Sequence, residues 1–233
     1  MSIVWKEAYF AIQDMMAKAE KESGRKPGSV GLLAVSKSQS VSSMLRLYHL
    51  GQHHFAENYV QEALQKQREL RGSAITWHFI GHIQARKAKA VSENFSWVHA
   101  IDSERIALLL SQKRGKTTLA ALQVCVQVNI SNDSQKEGVS VGDVAALCER
   151  VSRLPHLCLR GLMTILKADE SLEQVSANYQ KLASLLCELN KEGYCLDTLS
   201  MGMSRDFSLA IAAGATWIRV GQALFGKRGG SVV

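Results

Sequence analysis

The stretch Phe207-Ser208-Leu209-Ala210-Ile211-Ala212-Ala213-Gly214-Ala215-Thr216-Trp217-Ile218-Arg219-Val220 decides the fold. Phe207–Ala213 has the composition of a helix, Gly214 is placed to cap its C-terminus, and Thr216–Val220 is a β-branched and aromatic run with strand character. The chain thus passes from helix to strand over a very short connection. Working outward, short apolar runs recur at Gly31–Ser36, His53–Ala56, Thr76–Ile80, Trp97–Ile101, Gln123–Asn129, Leu159–Thr164 and Thr198–Met201, with amphipathic segments of helical length between them. Gly51 and Gly193 punctuate the chain as Gly214 does.

Alternation of this kind fits a doubly wound open sheet as well as a barrel, and the count of eight strands favours the barrel. The predicted fold class is therefore α/β, a single (β/α)8 TIM barrel. An extra amphipathic N-terminal helix over Ser2–Ser23 is expected to close the barrel bottom. With 233 residues, two prolines and no Gly/Ser-rich linker, the chain reads as one domain over residues 1–233, and the tail Lys227–Val233 is too short and polar to add another.

A composition of 46% apolar and 21% charged residues excludes disordered, collagenous and coiled-coil classes. The excess of 28 Lys and Arg over 21 Asp and Glu favours anionic partners: a phosphorylated small molecule, nucleic acid or a membrane surface. Five cysteines without a C-x-x-C pair suggest neither a disulfide framework nor a zinc site, and fit a reducing cytosol. The N-terminus lacks a signal-peptide core and no long apolar window occurs, so a soluble cytoplasmic protein is expected. His53 and His54 are adjacent on a strand, face opposite ways and cannot share a metal. The basic stretch Arg86-Lys87-Ala88-Lys89 reads as a solvated helix face, and at 6% aromatics with no recognition motif nucleic acid is not the expected partner.

Barrel chemistry sits where strands end. The polar residues at those positions are Lys37, Glu57-Asn58, His78 with Gly81, Asp102, Asn129, Thr164, Ser200–Ser204 and Arg219–Gly221. Lys37 shares the side of Leu33 and Val35; it is either an exposed strand-end lysine or an amine facing the barrel mouth, where desolvation makes an amine able to form a Schiff base with an aldehyde. Arg219 lies in an apolar strand and needs an acceptor, a carboxylate or a ligand. Ser200-Met201-Gly202-Met203-Ser204 and Gly221–Gly226 follow strands seven and eight, the usual phosphate site of such barrels, although Ser204 also suits an N-cap. Asn58 reads first as an N-cap for a helix over Tyr59–Leu70, Asp102 as a cap, and His78 as a core histidine.

Further motifs carry a resemblance: Leu32-Leu33-Ala34-Val35-Ser36-Lys37, Glu57-Asn58-Tyr59-Val60-Gln61-Glu62, Trp77-His78-Phe79-Ile80-Gly81, Ser200–Ser204, Gln127-Val128-Asn129-Ile130, Lys136-Glu137-Gly138, Arg160-Gly161-Leu162-Met163 and Ile218-Arg219-Val220-Gly221. Over nearly its whole length the chain resembles the YggS/PROSC family of pyridoxal phosphate homeostasis proteins. The resemblance implies an alanine-racemase-like barrel of PLP fold type III that binds pyridoxal 5′-phosphate (PLP). It implies Lys37 as the Schiff-base lysine, Ser200, Gly202, Met203, Ser204, Arg219 and Gly221 around the phosphate and pyridine ends, and Asn58 and His78 lining the pocket. Ala56, Arg86, Arg205, Gln222 and Ile165-Leu166-Lys167 depart from the family pattern; Gln222 removes a hydroxyl beside the phosphate site.

The implied function is a cytoplasmic, monomeric PLP carrier or buffer in vitamin B6 homeostasis, with PLP-dependent apo-enzymes as recipients. The resemblance assigns catalysis in related racemases to a tyrosine of a second domain, which follows no barrel here, and gives Arg219 the pyridine nitrogen, where a guanidinium discourages protonation and weakens the electron sink. The alternatives are a low-activity amino-acid racemase or transaminating enzyme, with Tyr59 as a substitute base, and a Schiff-base aldolase acting on a phosphosugar.

Overall fold

Short runs of Val, Ile, Leu and Phe that are buried on both faces can be satisfied only inside a parallel sheet covered by helices. The computed structural model, which describes residues 4–133, 137–167 and 169–226, shows that arrangement closed on itself. Strands β1 (Gly31–Val35), β2 (His54–Glu57), β3 (Thr76–Phe79), β4 (Trp97–Ile101), β5 (Leu122–Gln127), β6 (Leu157–Met163), β7 (Thr198–Ser200) and β8 (Trp217–Val220) pair in sequence order, and β8 pairs with β1. The helices are α1 (Val4–Glu22), α2 (Val41–Tyr48), α3 (Val60–Glu69), α4 (Ala88–Asn94), α5 (Glu104–Arg114), α6 (Val144–Ser152), α7 (Leu172–Lys191), α8 (Phe207–Ala212) and α9 (Gln222–Phe225). None of them is long and apolar enough to cross a membrane. Lys136 and the tail Lys227–Val233 lie outside the described residues.

Strand alternation divides the core in two. Leu32, Ala34, Phe55, Phe79, Val98, Ile218 and Val220 face outward into the layer shared with the helices. Leu33, Ala56 and Ile80, packed with Val35 and Trp217, form one small cluster inside the barrel; Ala100, Cys125 and Met163, with Trp97 and Ile165, form another. The methyl of Ala56, one of the departures from the family pattern, fits in the first of these.

The bottom of the barrel is filled by Trp97 and Trp217, the first residues of β4 and β8, and by Arg160 of β6. Trp217 lies across Gly31, whose missing Cβ would sit 2.1 Å from the indole ring, so only glycine fits there. Arg160 stacks 5.0 Å from the centroid of Trp97 and is held by both Asp197 oxygens. The expectation that the N-terminal helix closes this end is therefore corrected. α1 buries Tyr9, Ile12, Met16 and Ala19, and it packs against α8 and α9 in the outer ring, with Trp5 reaching Arg46 of α2. An amphipathic pattern specifies which stripe is buried, and here the unfilled site is the gap in the helix ring beside the β8–β1 seam. Arg25 anchors the end of α1 by donating to the Ile211 and Ala215 carbonyls, and buried Glu20 accepts from the Gly28 and Val30 amides and the Ser29 hydroxyl.

Candidate functional site

The register that closes the barrel sets Arg219 beside Leu33 and Val220 beside Ala34, so the ends of β1 and β8 open together at the C-terminal mouth. There the chain encloses a cavity of about 270 Å3 lined by Val35, Lys37, Gln39, Asn58, Ile80, Ile165, Met203, Ser204, Arg219, Gly221, Gln222 and Gly226. Small-molecule sites typically span ~300–1,000 Å3, so this one is of a size for a small ligand. A larger groove of about 1020 Å3 lies on the outer flank among α6, the start of β6 and the α7–β7 connection, away from the strand ends that carry barrel chemistry.

Lys37 stands in the turn after β1, half-buried, and its side chain reaches the cavity wall. Among the described residues its amine has no hydrogen-bond or ion-pair partner. Asn58 was expected first as an N-cap; instead Tyr59 occupies the N-cap of α3. Asn58 is therefore free of the helix, and its buried Oδ1 at the cavity wall has no partner. An amide oxygen stranded at a cavity is costly unless a ligand donor meets it. The backbone of Asn58 is fixed by Gly81, where a Cβ would lie 2.2 Å from the Asn58 carbonyl oxygen.

Arg219 is buried, and burial lowers its pKa from the ordinary guanidinium value, with Tyr179 and Asp206 partly offsetting this. Its Nη1 donates to Ser200 Oγ at 3.0 Å and its Nη2 to the Thr164 carbonyl at 2.7 Å. Both acceptors are neutral, and no ion pair to Arg219 occurs among the described residues. The choice between a structural carboxylate and a ligand thus falls toward the ligand: Asp206 offsets the buried guanidinium only without an ion pair, and both hydrogen-bonded supports at the cavity wall are neutral.

Six of the sequence-selected residues meet at the cavity: Lys37, Asn58, Met203, Ser204, Arg219 and Gly221. Three lie behind it. Ser200 is fully buried and holds Arg219. Gly202, at φ +93, accepts the Arg219 amide through its carbonyl and leaves room for Ala210, whose Cβ would be 2.6 Å from an added methyl. His78 lies inside the barrel, with Nε2 3.1 Å from His54 Nδ1 and Nδ1 2.9 Å from His99 Nε2. Burial lowers the His78 pKa well below the ordinary imidazole value and takes His99 to about 3, with Arg219 adding to the second shift. Both rings are neutral at physiological pH.

Two cap assignments also change. Ser204 precedes α8 by a turn, and the N-cap is Asp206, whose Oδ1 accepts the Met203 amide at 2.6 Å and tightens the loop. Asp102 receives the Ser103 hydroxyl while Ser103 takes the N-cap of α5. Gln39 and Ile80 line the cavity without having been selected, while Gly226 closes the selected segment Gly221–Gly226; Gln39 sits in a loop, where strand parity gives no signal. Lys66, described below, was missed although it stands on the buried stripe of α3 with Val60 and Ala63, an unusual place for a lysine.

The donor set fits a phosphorylated aromatic aldehyde. It offers one unpartnered primary amine, one guanidinium hydrogen-bonded only to neutral groups, a stranded amide oxygen, the Ser204 hydroxyl, and the backbone at Gly221, where a Cβ would press to 3.2 Å from the Val35 carbonyl oxygen.

Comparison with known proteins bears on the same region. Residues 11–229 match the family described as alanine racemase, N-terminal domain. The chain is 46% identical over 211 residues to the pyridoxal phosphate homeostasis protein of Pseudomonas aeruginosa, covering 91% of this chain and 90% of that one. It is 39% identical over 220 residues to the protein of the same name from Escherichia coli K12, covering 93% and 94%. Among solved structures it is similar to PipY of Synechococcus elongatus PCC7942 with PLP bound, at 37% identity and a TM-score of 0.81, over 91% of this chain and all of that chain. Alanine racemase from Corynebacterium glutamicum shares the fold, with a TM-score of 0.67 at 18% identity, and this chain covers 59% of it.

Proposed function

Because the chain belongs to the family of pyridoxal phosphate homeostasis proteins, we propose that its barrel mouth binds pyridoxal 5′-phosphate and that the protein serves vitamin B6 homeostasis as a carrier or buffer of that cofactor. When bound, the cofactor supplies an aldehyde carbon that a primary amine can attack and a ring that can withdraw electrons. Everything else is done by this chain. Lys37, which lines the cavity, is the amine that would hold the aldehyde carbon, the aldehyde oxygen leaving as water. Ser204, with the backbone at Gly221 and Gln222, binds the phosphate oxygens, and Met203 packs beside them. Asn58 Oδ1 accepts from a ligand donor, and Arg219 donates to the ring nitrogen. Ser200 and Gly202 set the position of Arg219, and His78 packs deeper in the barrel with His54 and His99. A permanently charged guanidinium there opposes protonation of the nitrogen and so keeps electron withdrawal weak.

The observation that carries this reading is the convergence, in one cavity, of an unpartnered lysine and an arginine held only by neutral groups. The shape of the site favours holding over turnover: Tyr59, the alternative base, caps α3 with 59% exposure and does not line the cavity. The reading includes a cytosolic monomer that passes the cofactor to apo-enzymes. Absorbance titration of cofactor-free protein with PLP tests it. A saturable chromophore that borohydride bleaches, and that Lys37→Ala abolishes, is expected; a protein that gains no chromophore would overturn the reading.

A further inference from the structure

We propose that Lys66, with Glu57 and Glu62, is a positioning unit for Lys37, an ion-paired brace that fixes the lysine turn from both sides and leaves Lys37 as the available amine at the mouth. The proposal rests on the cofactor reading above for its function, and on side-chain geometry for its existence.

The turn that carries Lys37 is not one its sequence favours. Ser38 has φ +58, a left-handed conformation that non-glycine residues adopt at a cost and keep only when the surroundings impose it. The surroundings here are three side chains from β2 and α3. Lys66 Nζ donates to the Ser36 carbonyl at 2.5 Å, to Glu57 Oε1 at 2.7 Å and to Glu62 Oε1 at 2.6 Å. Ser36 Oγ also donates to Glu57 Oε1, at 2.6 Å, and Glu62 Oε1 accepts the Ser38 amide at 2.5 Å. The backbone groups immediately before and after Lys37 therefore end on the same ion-paired cluster.

An ammonium has three protons, and Lys66 uses all three. It is buried, as is Glu57, whose pKa burial raises and the neighbouring Lys66 lowers. A buried cluster of this kind adds little net stability compared with apolar packing, and its usual return is a defined geometry. The geometry it defines is the Lys37 turn. The same bonding also removes Lys66 as a competitor: its nitrogen is held by three acceptors away from the cavity, while the Lys37 side chain, without partners among the described residues, lines the cavity and has no hydrogen bond to break before it meets an aldehyde. Selection between two lysines close in space follows from which of them is saturated.

The test compares wild type, Lys66→Met, Glu62→Ala and Glu62→Gln. Glu62 is partly exposed, so its variants keep the test open if Lys66→Met fails to fold. Three quantities are read: hydrogen exchange of the Ser38 amide in cofactor-free protein, the rate of covalent capture of PLP on Lys37 trapped by borohydride at timed intervals, and affinity for pyridoxine 5′-phosphate, which has no aldehyde. Loss of one hydrogen bond to a charged acceptor predicts that Glu62→Ala raises Ser38 exchange and slows capture, each by about tenfold or more. Glu62→Gln, which keeps an acceptor, restores much of both, and affinity for the aldehyde-free compound stays within about threefold throughout, which a collapsed site would not allow. Unchanged Ser38 exchange and capture rate in Glu62→Ala would overturn the proposal. Failure of the wild type to capture PLP on Lys37 would instead overturn the cofactor reading, while the exchange data still decide whether the brace holds the turn.

Discussion

Replacing His99 with asparagine should flatten the acid limb of the stability curve. His99 sits inside the barrel, fully buried, with Nε2 on His78 and an Nδ1 that has no partner. The groups that face it are His78, Trp97 and, at longer range, Arg219, and burial first and Arg219 second lower its pKa to about 3. In the unfolded chain the same imidazole titrates near 6.5. Between those values the unfolded state binds a proton that the folded state refuses, so stability falls as pH falls and rises as pH rises. Each pH unit inside the window costs about 1.4 kcal/mol, so lowering the pH by about two units from 6.5 removes roughly 3 kcal/mol through His99 alone. His78 acts in the same direction. Against a total stability of about 5–15 kcal/mol for a domain, this is a large share. The assay is urea unfolding at a series of pH values from about 7.5 to 4.5, with wild type and His99→Asn compared at equal ionic strength. Asparagine can still pair with His78 but does not titrate, so whatever constant loss it brings, the gap between the two curves should narrow by about 3 kcal/mol at the acid end. Parallel curves would refute the reasoning and mean that His99 titrates normally in the folded barrel.

Other substitutions probe the same architecture from different sides. Gly202→Ala adds a methyl 2.6 Å from the Ala210 Cβ at φ +93 and should cost roughly 2–4 kcal/mol in thermal or chemical unfolding; a wild-type midpoint would show that the loop under Arg219 is looser than described. The double variant Ser200→Ala, Ser204→Ala should weaken retention of pyridoxine 5′-phosphate, measured by calorimetry, by roughly 1–3 kcal/mol for each lost partner without unfolding the protein, since one hydroxyl steadies Arg219 and the other faces the cavity. Unchanged affinity would move phosphate binding to the backbone at Gly221 and Gln222. Arg219→Glu should favour a protonated ring nitrogen and raise deuterium uptake at the α-carbon of amino acids, compared at equal cofactor occupancy; wild-type turnover of about 1 per second or more would contradict the carrier reading.

The strands and their order were legible because a closed parallel barrel buries both strand faces, and short Val, Ile and Leu runs at regular intervals have few other uses. The position of α1 was not, because its apolar stripe is equally consistent with covering the bottom of a barrel or the β8–β1 seam; the bottom was already filled by Trp97, Trp217 and Arg160. At the mouth, strand-end position and parity picked out Lys37, Asn58, Ser204, Arg219 and Gly221. They could not separate residues that line the cavity from those one layer behind, so Ser200, Gly202 and His78 were grouped with the rest. Capping preferences misled for Asn58 and Ser204, since the helices start one or two residues later, at Val60 and Phe207. The histidine chain through His54, His78 and His99 joins three strands, and no local pattern reports a pairing across three strands. Lys66 left one readable mark, a charge on a buried helical stripe, and its meaning depends on the Ser36 and Ser38 backbone that only the folded turn brings to it.

The central claim, that Lys37 is the amine that holds the cofactor, is tested most directly by peptide mapping of protein saturated with PLP and reduced with borohydride. The account predicts the pyridoxyl adduct on the peptide containing Lys37, with Lys66 unmodified because its three protons are engaged. An adduct found chiefly on Lys66, Lys87, Lys89 or Lys136, with Lys37 unmodified, would contradict it.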